Sequence, residues 1–506
     1  MLKRNLVANC IGQGWTGLMQ LAFVPLYIKY LGIESYGLIG LFAMLTAWLN
    51  LLDMGMTPTL SREMARFTSG THSAQSIRDL LRTIEVMTFG IALAIAAGLT
   101  FGSNWLATDW LGTNNLPTHV VIQAFAIMGL VAALRFSETI YHSSIVGLQR
   151  QVLFNVFNSS LATLRGLGAV AILAWVSPTI QAFFLWQGLV SILALGIFAS
   201  LTYSFLPPIQ RRARFSPQAF CGVWRFAGGM LGITFLALLL TQVDKVLLSK
   251  LLNLSDYGYY TLAATVASGL SMLISPITQA VYPRLCELHA EGNQEMLTET
   301  YHKTAQLISV VAGSAAIVLI MFGKSFLELW THDPTLAART APLLSLLMLG
   351  NLLNGLMWVP YQTQLAYGWT SLAIKVNLFA VAIIIPAILL VTPHYRAIGV
   401  AWVWIILNIG YLLVASQFMY RRILRAEKWR WYLQDLLAPI GAASFGAFLL
   451  KLNWPVANTP ISLLSQLALA FLVALVPAAL AAGEVRFQLR QVFRSPRIRR
   501  AIFDEH

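Results

Sequence analysis

The chain has 506 residues, of which 58% are apolar and 11% charged, and 34 Lys and Arg against 20 Asp and Glu leave a net charge of +14. A soluble domain carries about 25% charged residues, so this composition excludes an ordinary water-soluble fold. Cys10, Cys221 and Cys286 are isolated, with no CxxC pair and no His at metal spacing, which argues against a disulfide framework or a zinc site.

A membrane span needs ~20 mostly apolar residues to cross ~30 Å of hydrocarbon. Such runs follow one another along nearly the whole chain and predict an all-α integral membrane protein with fourteen spans. They fall at 6–31, 36–57, 83–107, 118–147, 152–177, 180–206, 226–251, 257–282, 303–328, 338–366, 370–392, 396–420, 431–452 and 461–483. No signal peptide is expected, because Met1-Leu2-Lys3-Arg4 leads directly into a run too long for a signal's apolar core. Residues 60–82 read as a polar, partly amphipathic connection. Residues 207–225, with Pro207-Pro208 and Arg211-Arg212, read as a linker between two halves. Most spans are apolar nearly all round, as expected where one face meets lipid and the others meet helices, so the helical period does not orient them.

One stretch is written twice. Leu31-Gly32-Ile33-Glu34-Ser35-Tyr36-Gly37 precedes an apolar run to Asp53, then Arg62-Glu63-Met64-Ala65-Arg66 and a polar tail to Gly70. Leu252-Asn253-Leu254-Ser255-Asp256-Tyr257-Gly258 precedes a second apolar run, then Arg284-Leu285-Cys286-Glu287 and a tail to Gly292. The pattern reads as an internal duplication, and transporters built from repeated halves place their substrate site between them.

Basic residues predict the topology. With Lys3 and Arg4 in the cytoplasm, 24 of the 34 Lys and Arg fall on that side, including Arg62, Arg66, Arg284, Arg421, Arg422 and the tail arginines, against six outside. This bias predicts both termini inside and an even number of spans. The positive charge therefore needs no nucleic-acid partner. The tail from Val485 to Phe503 reads as further topology signal or as an amphipathic helix on anionic lipid.

Four basic residues remain inside spans: Arg135, Arg165, Lys245 and Lys375. Each costs at least ~2.5–3.5 kcal/mol to insert, so each needs a water-filled cavity, a partner charge or the headgroup region. Arg135 and Glu138 lie three apart on one helix face, with His142 a turn further, and form either an internal salt bridge or part of a site. Arg165 has no acidic residue nearby in sequence and is the leading anion-contact candidate, the alternative being bonds to backbone carbonyls. Asp244 and Lys245 are adjacent and point in different directions, which disfavours mutual pairing. Lys375 lies near a span end, where snorkelling suffices. Span 10 groups Asn351, Asn354, Trp358, Tyr361, Gln362 and Gln364 around Pro360. Amides and aromatic rings suit sugars, and they serve helix–helix hydrogen bonding equally well.

The turn before Tyr36-Gly37, the basic loop after Asp53, the Asp244-Lys245 pair and the restated Asp256-Tyr257-Gly258 resemble the polysaccharide biosynthesis family. These are Wzx-type flippases of the multidrug/oligosaccharidyl-lipid/polysaccharide (MOP) exporter superfamily, and the resemblance covers essentially the whole chain. It implies two six-helix lobes around a central cavity, here 1–206 and 226–420 joined by the cytoplasmic linker 207–225. It further implies two extra spans in 421–484, followed by the basic cytoplasmic tail 485–506. The implied protein sits in the bacterial inner membrane. It moves undecaprenyl-diphosphate-linked oligosaccharide from the cytoplasmic to the periplasmic leaflet by alternating access, with no enzymatic step and no cofactor.

Arg forks suit phosphate oxygens, so Arg135, Arg165 and Lys245 are expected to contact the diphosphate or acidic sugars, with Arg62 and Arg284 at the cytoplasmic mouth. Trp358, Tyr361 and Gln362 are expected to meet the glycan. Glu138 and Asp244 are the candidates for proton- or sodium-coupling, and Arg165→Ala is expected to abolish surface polysaccharide while leaving protein level intact. Expected partners besides the glycan are membrane lipids and a polysaccharide polymerase or chain-length regulator. Three alternatives remain. A drug exporter of the superfamily would stop near twelve spans and favour an acidic cavity. A membrane glycosyltransferase, polymerase or ligase would need a larger outside loop than the stretch from Lys324 to Arg339. The lipid-linked peptidoglycan precursor flippase shares fold and carrier, and no feature selects it.

Overall fold

In the computed structural model, the structure describes residues 2–68, 73–112, 116–208, 211–454 and 459–494. The end of the first repeat copy, at Gly70, and tail residues Arg497, Arg499 and Arg500 lie outside them. Among the described residues the chain is helical nearly throughout. The first helices are α1 (Leu2–Ala22), α2 (Val24–Leu49), α3 (Met56–Thr68), α4 (Ala74–Trp105), α5 (Thr118–Gly147), α6 (Gln151–Trp175), α7 (Ile180–Phe205) and α8 (Pro217–Leu251). Then follow α9 (Leu254–Ala290), α10 (Gln294–Thr331), α11 (Pro334–Leu356), α12 (Trp358–Ala366) and α13 (Thr370–Gly410). The chain closes with α14 (Ser416–Arg422), α15 (Lys428–Arg430), α16 (Ala438–Leu452), α17 (Pro460–Ala481) and α18 (Gly483–Arg494).

Eleven helical segments among the described residues are long and apolar enough to cross a membrane. One of them, Thr370–Arg422, is 53 residues long and breaks at Arg396 (φ 49°, ψ −141°), so it supplies two crossings. With α1 of 21 residues and α8 of 35, the described helices accommodate the fourteen expected spans. The expected first span is interrupted at Phe23, and its last turns continue into α2 as far as Gly32. There φ of 78° and ψ of 165° turn the chain, a conformation that only glycine reaches without strain.

The chain divides into two compact units, Met1–Thr261 and Leu262–His506, with the boundary inside α9. In the first unit α5 is the central helix. Val121, Phe125, Met128, Val131, Ile140 and Ile145 are fully buried against neighbours that include α3, α4, α6 and α7. A helix surrounded by partners has no polar face, which is why its sequence carries no helical period. The connection 60–82 is largely helical. In α3 the residues Met56, Leu60 and Met64, spaced by four, are buried on one stripe. Three residues of the connection after α7 bond to α4: Arg78 donates to the Leu206 carbonyl (3.0 Å), Arg214 N–H to Asp79 Oδ1 (2.8 Å) and Ser216 N–H to Thr83 Oγ1 (2.8 Å).

Within this unit the two Tyr-Gly motifs meet reciprocally. A Cβ on Gly37 would lie 2.7 Å from the Leu254 carbonyl oxygen, and one on Gly258 would lie 2.3 Å from the Ile33 carbonyl oxygen. The register that maps Tyr36 onto Tyr257 also maps Gly37 onto Gly258 and Ile33 onto Leu254. Each segment thus contacts the other through the same pair of positions, the signature of a two-fold contact between like elements. Tyr36 and Tyr257 are both buried beside it. The neighbouring Leu254 N–H is accepted by the Gly112 carbonyl at 2.9 Å, and Trp110 Nε1 donates to Ser249 Oγ at 3.1 Å.

The second unit is built on small residues. Ala470, Ala474, Ala478 and Ala482, at intervals of four, form a fully buried stripe in one cluster with Val310, Ile317, Val318 and Phe322 of α10 and Ala443 and Ala447 of α16. Membrane helices gain little from burying apolar surface that lipid would cover anyway, so close backbone approach over small residues supplies the packing energy.

The crowding at the paired glycines predicts that Gly258→Ala lowers stability by roughly 1–3 kcal/mol, the usual cost of overpacking. Gly90→Ala, at a helical position with open space around it, should be neutral or stabilising. Unfolding midpoints of the two variants in detergent check the contrast.

Candidate functional site

Three of the charged residues inside spans of the first unit converge where α5, α6 and α7 meet. Arg135 and Glu138 come from α5, Arg165 from α6, and Gln187 and Ser191 from one face of α7, four residues apart. Arg165 Nη2 donates to both Glu138 oxygens (3.0 and 2.9 Å) and lies 3.3 Å from Ser191 Oγ. Arg135 Nη2 donates to Gln187 Oε1 at 2.7 Å, and its guanidinium stands 5.1 Å from the centroid of the Phe42 ring. Gln187 Nε2 reaches the Arg165 backbone carbonyl at 3.4 Å, so one amide touches both arginine positions.

Arg165 is fourteen residues into a 25-residue helix, ~21 Å along its axis at 1.5 Å per residue. That depth puts its charge far from either end of the span, and Glu138, with only 3% of its side chain exposed, compensates it. The expected Arg135–Glu138 pair on one helix face is therefore replaced by a pair between helices. Arg165, expected to be the anion contact because no carboxylate is near it in sequence, meets in the fold a carboxylate that lies 27 residues away along the chain. Two arginines against one glutamate leave the cluster with one excess positive charge. Arg135 and Arg165 each retain a buried Nε with no hydrogen-bond partner among the described residues.

The other expected residues have partners of their own. Lys245 Nζ contacts Gln242 Oε1 (3.0 Å), and Asp244 Oδ2 accepts from the Tyr260 hydroxyl (2.5 Å) while Oδ1 is buried without a partner among the described residues. As expected, the adjacent Asp244 and Lys245 do not pair with each other. Arg62 pairs with Glu63, and Arg284 pairs with Glu287 (2.7 Å); both arginines are about half exposed, where ion pairs contribute little. In span 10, Asn354 Nδ2 donates to Asn408 Oδ1 (2.8 Å), and Trp404 Nε1 donates to Asn351 Oδ1 (2.9 Å). Trp358 Nε1 approaches Asn354 Oδ1 at 3.4 Å. Part of that polar set thus ties helices together, whereas Tyr361 is 44% exposed and Gln362 is half-buried.

Two features escaped sequence reasoning. Gln187 and Ser191 look unremarked among apolar neighbours, and only the fold aims them at the arginines. A second network, in the other unit, joins His302, Asp435, Gln306, Glu427, Arg430 and Glu484. Its signal was present: Asp435 is the one acidic residue in the apolar stretch 431–452.

The fold and this cluster define an all-helical, multi-pass membrane protein with half-buried basic side chains in the middle of its spans. The family model for polysaccharide biosynthesis proteins matches residues 2–289, and the chain belongs to that family. A Shigella flexneri protein named as an O-antigen transporter is 19% identical over 422 residues, covering 83% of this chain and 98% of the relative. The lipopolysaccharide biosynthesis protein WzxC of Escherichia coli K12 is 23% identical over 228 residues, 45% of this chain and 44% of that one. Among solved structures, the lipid II flippase MurJ in an inward closed conformation superposes with a TM-score of 0.70 at 15% identity, covering 96% of this chain and 99% of that one. The multidrug transporter DinF-BH, a MATE protein, gives 0.59 at 15% identity over 83% of this chain and 95% of its own. The fold is that of the MOP exporters.

Arg165→Ala strands a buried carboxylate, which costs about 3–5 kcal/mol. We therefore expect loss of folded protein, not the intact level anticipated from sequence. The double variant Glu138→Leu/Arg165→Leu should recover most of that stability, as measured by unfolding midpoint and folded yield in detergent.

Proposed function

We propose that this protein is a flippase that moves undecaprenyl-diphosphate-linked oligosaccharide from the cytoplasmic to the periplasmic leaflet by alternating access, for surface polysaccharide assembly. Family membership and relatives named for O-antigen transport and lipopolysaccharide biosynthesis support the pathway. Likeness to a lipid II flippase along nearly the whole chain supports a fold able to pass a lipid-linked cargo.

The observation that carries the reading is the setting of Arg135. Its guanidinium is held at membrane depth by a neutral amide and an aromatic face, and it keeps an unpartnered Nε. A charge left uncompensated in a low-dielectric site costs free energy unless an anion completes it, and a planar fork matches phosphate oxygens. The same excess positive charge disfavours a cationic drug as cargo. Arg165, committed to Glu138, then serves as the scaffold that keeps Arg135 in place. Glu138 is correspondingly a poor coupling residue. Asp244, with one oxygen on Tyr260 and the other buried without a partner, is the better candidate for a proton- or sodium-linked step. Tyr361 and Gln362 remain the glycan candidates. The excess of Lys and Arg on alternate loops supports inner-membrane placement with both termini cytoplasmic. A polymerase or chain-length regulator is the natural partner, since repeat units must be polymerised after crossing.

Arg135→Gln tests the reading, because an amide keeps a hydrogen bond to Gln187 and removes the charge. The folded amount should match wild type. Surface polysaccharide should fall about 10- to 100-fold, the effect of losing a charged hydrogen bond of about 1.5–3 kcal/mol. Export at the wild-type level would refute a role for Arg135 in cargo binding.

A further inference from the structure

The second unit contains a buried titratable network that transport by the Arg135 cluster does not use. His302 of α10 is fully buried, with Nδ1 against Asp435 Oδ2 and Nε2 3.0 Å from Glu427 Oε2. Asp435 is also fully buried, and its other oxygen accepts from Gln306 Nε2 at 2.8 Å. Gln306 Oε1 in turn accepts the backbone N–H of Glu484, at the start of α18, at 2.8 Å. Arg430 links Glu484 (3.0 Å) to Glu427 (3.6 Å). Tyr301 stands edge-on to the ring at 5.3 Å and is bonded through its hydroxyl to Tyr420 (2.6 Å). The charged groups facing His302 are therefore Asp435 and Glu427 directly, with Arg430 and Glu484 behind Glu427.

Both ring nitrogens face carboxylate oxygens, and a neutral imidazole has only one N–H to donate. Two such contacts need two protons, either both on the ring or one on the ring and one on a carboxyl group. With fewer, a nitrogen lone pair faces a carboxylate inside a dry core, where that repulsion is not screened. No group of His, Cys, Asp and Glu among the described residues has the geometry to hold a metal ion, so a proton is the ligand that fits.

We infer that His302, Asp435 and Glu427 form a proton-binding latch that fastens the first turn of α18 and the segment 427–437 to α10. The closed latch holds one proton more than a neutral ring flanked by two carboxylates. The proton enters through Glu427, a quarter of whose side chain is exposed, and is relayed by the ring toward Asp435. Linkage gives the sign: the closed arrangement binds the extra proton, so closure is favoured at low pH and lost as pH rises. Gln306 transmits closure to α18 because one amide bonds both Asp435 and the Glu484 N–H. This inference stands independently of the cargo.

Hydrogen–deuterium exchange of the full-length protein in nanodiscs, from pH 6 to pH 9 and corrected for intrinsic exchange, tests it. Protection of the amides in 427–437 and at Glu484 should fall with pH, by up to about tenfold per unit for one proton, while α5 stays unchanged. Glu427→Gln places a permanent N–H donor against the ring, and protection should then remain high and flat across the range. A flat wild-type profile, or an unchanged pH slope in Glu427→Gln, would overturn the latch.

Discussion

A charged side chain in hydrocarbon must be answered, and the first unit is arranged around that requirement. Two arginines enter the bilayer on α5 and α6, and one glutamate answers one of them. The geometry that brings Glu138 to Arg165 also brings Gln187 and Ser191 from α7, so three helices are held in register by one ion pair and its flanking hydrogen bonds. Replacing a buried pair by apolar residues is often neutral or favourable. Its retention is therefore better understood through the charge left over than through stability.

The two buried networks differ in sign and in what they ask of a ligand. The α5–α7 cluster has an excess cation and unsatisfied guanidinium donors, the complement of an anion. The His302 network has an excess of carboxylates and short of a proton cannot keep its own contacts. The cargo role proposed for the first and the latch inferred for the second follow from that difference. Each follows from counting donors and acceptors, with no appeal to shape.

Much of the fold was legible in the sequence. Span lengths follow from apolar runs, the turn at Gly32 from a glycine in a short polar break, and the duplication from the restated Tyr-Gly motif, which the structure uses as a reciprocal backbone contact. The stripe of Ala470, Ala474, Ala478 and Ala482 went unread, because small residues among apolar ones leave the span apolar all round. Partner choice was not legible. Glu138 is nearer Arg135 than Arg165 along the chain, and nothing in a run of apolar residues tells which face of α6 meets α5. The amides of span 10 illustrate the same ambiguity: Asn351 and Asn354 bond to neighbouring helices, a use indistinguishable in composition from sugar binding. Asp435 stands alone among apolar residues, and its partners His302 and Gln306 lie about 130 residues away in the chain, so its network is invisible locally.

The central claim is transfer of a lipid-linked glycan across the membrane, and its sidedness is the direct test. Cells lacking this protein would be probed for undecaprenyl-diphosphate glycan with a label that does not cross the inner membrane. Complete repeat units should be trapped on the cytoplasmic face, inaccessible to the label until the membrane is opened. Repeat units that reach the periplasmic face in the absence of the protein and remain unpolymerised there would contradict it.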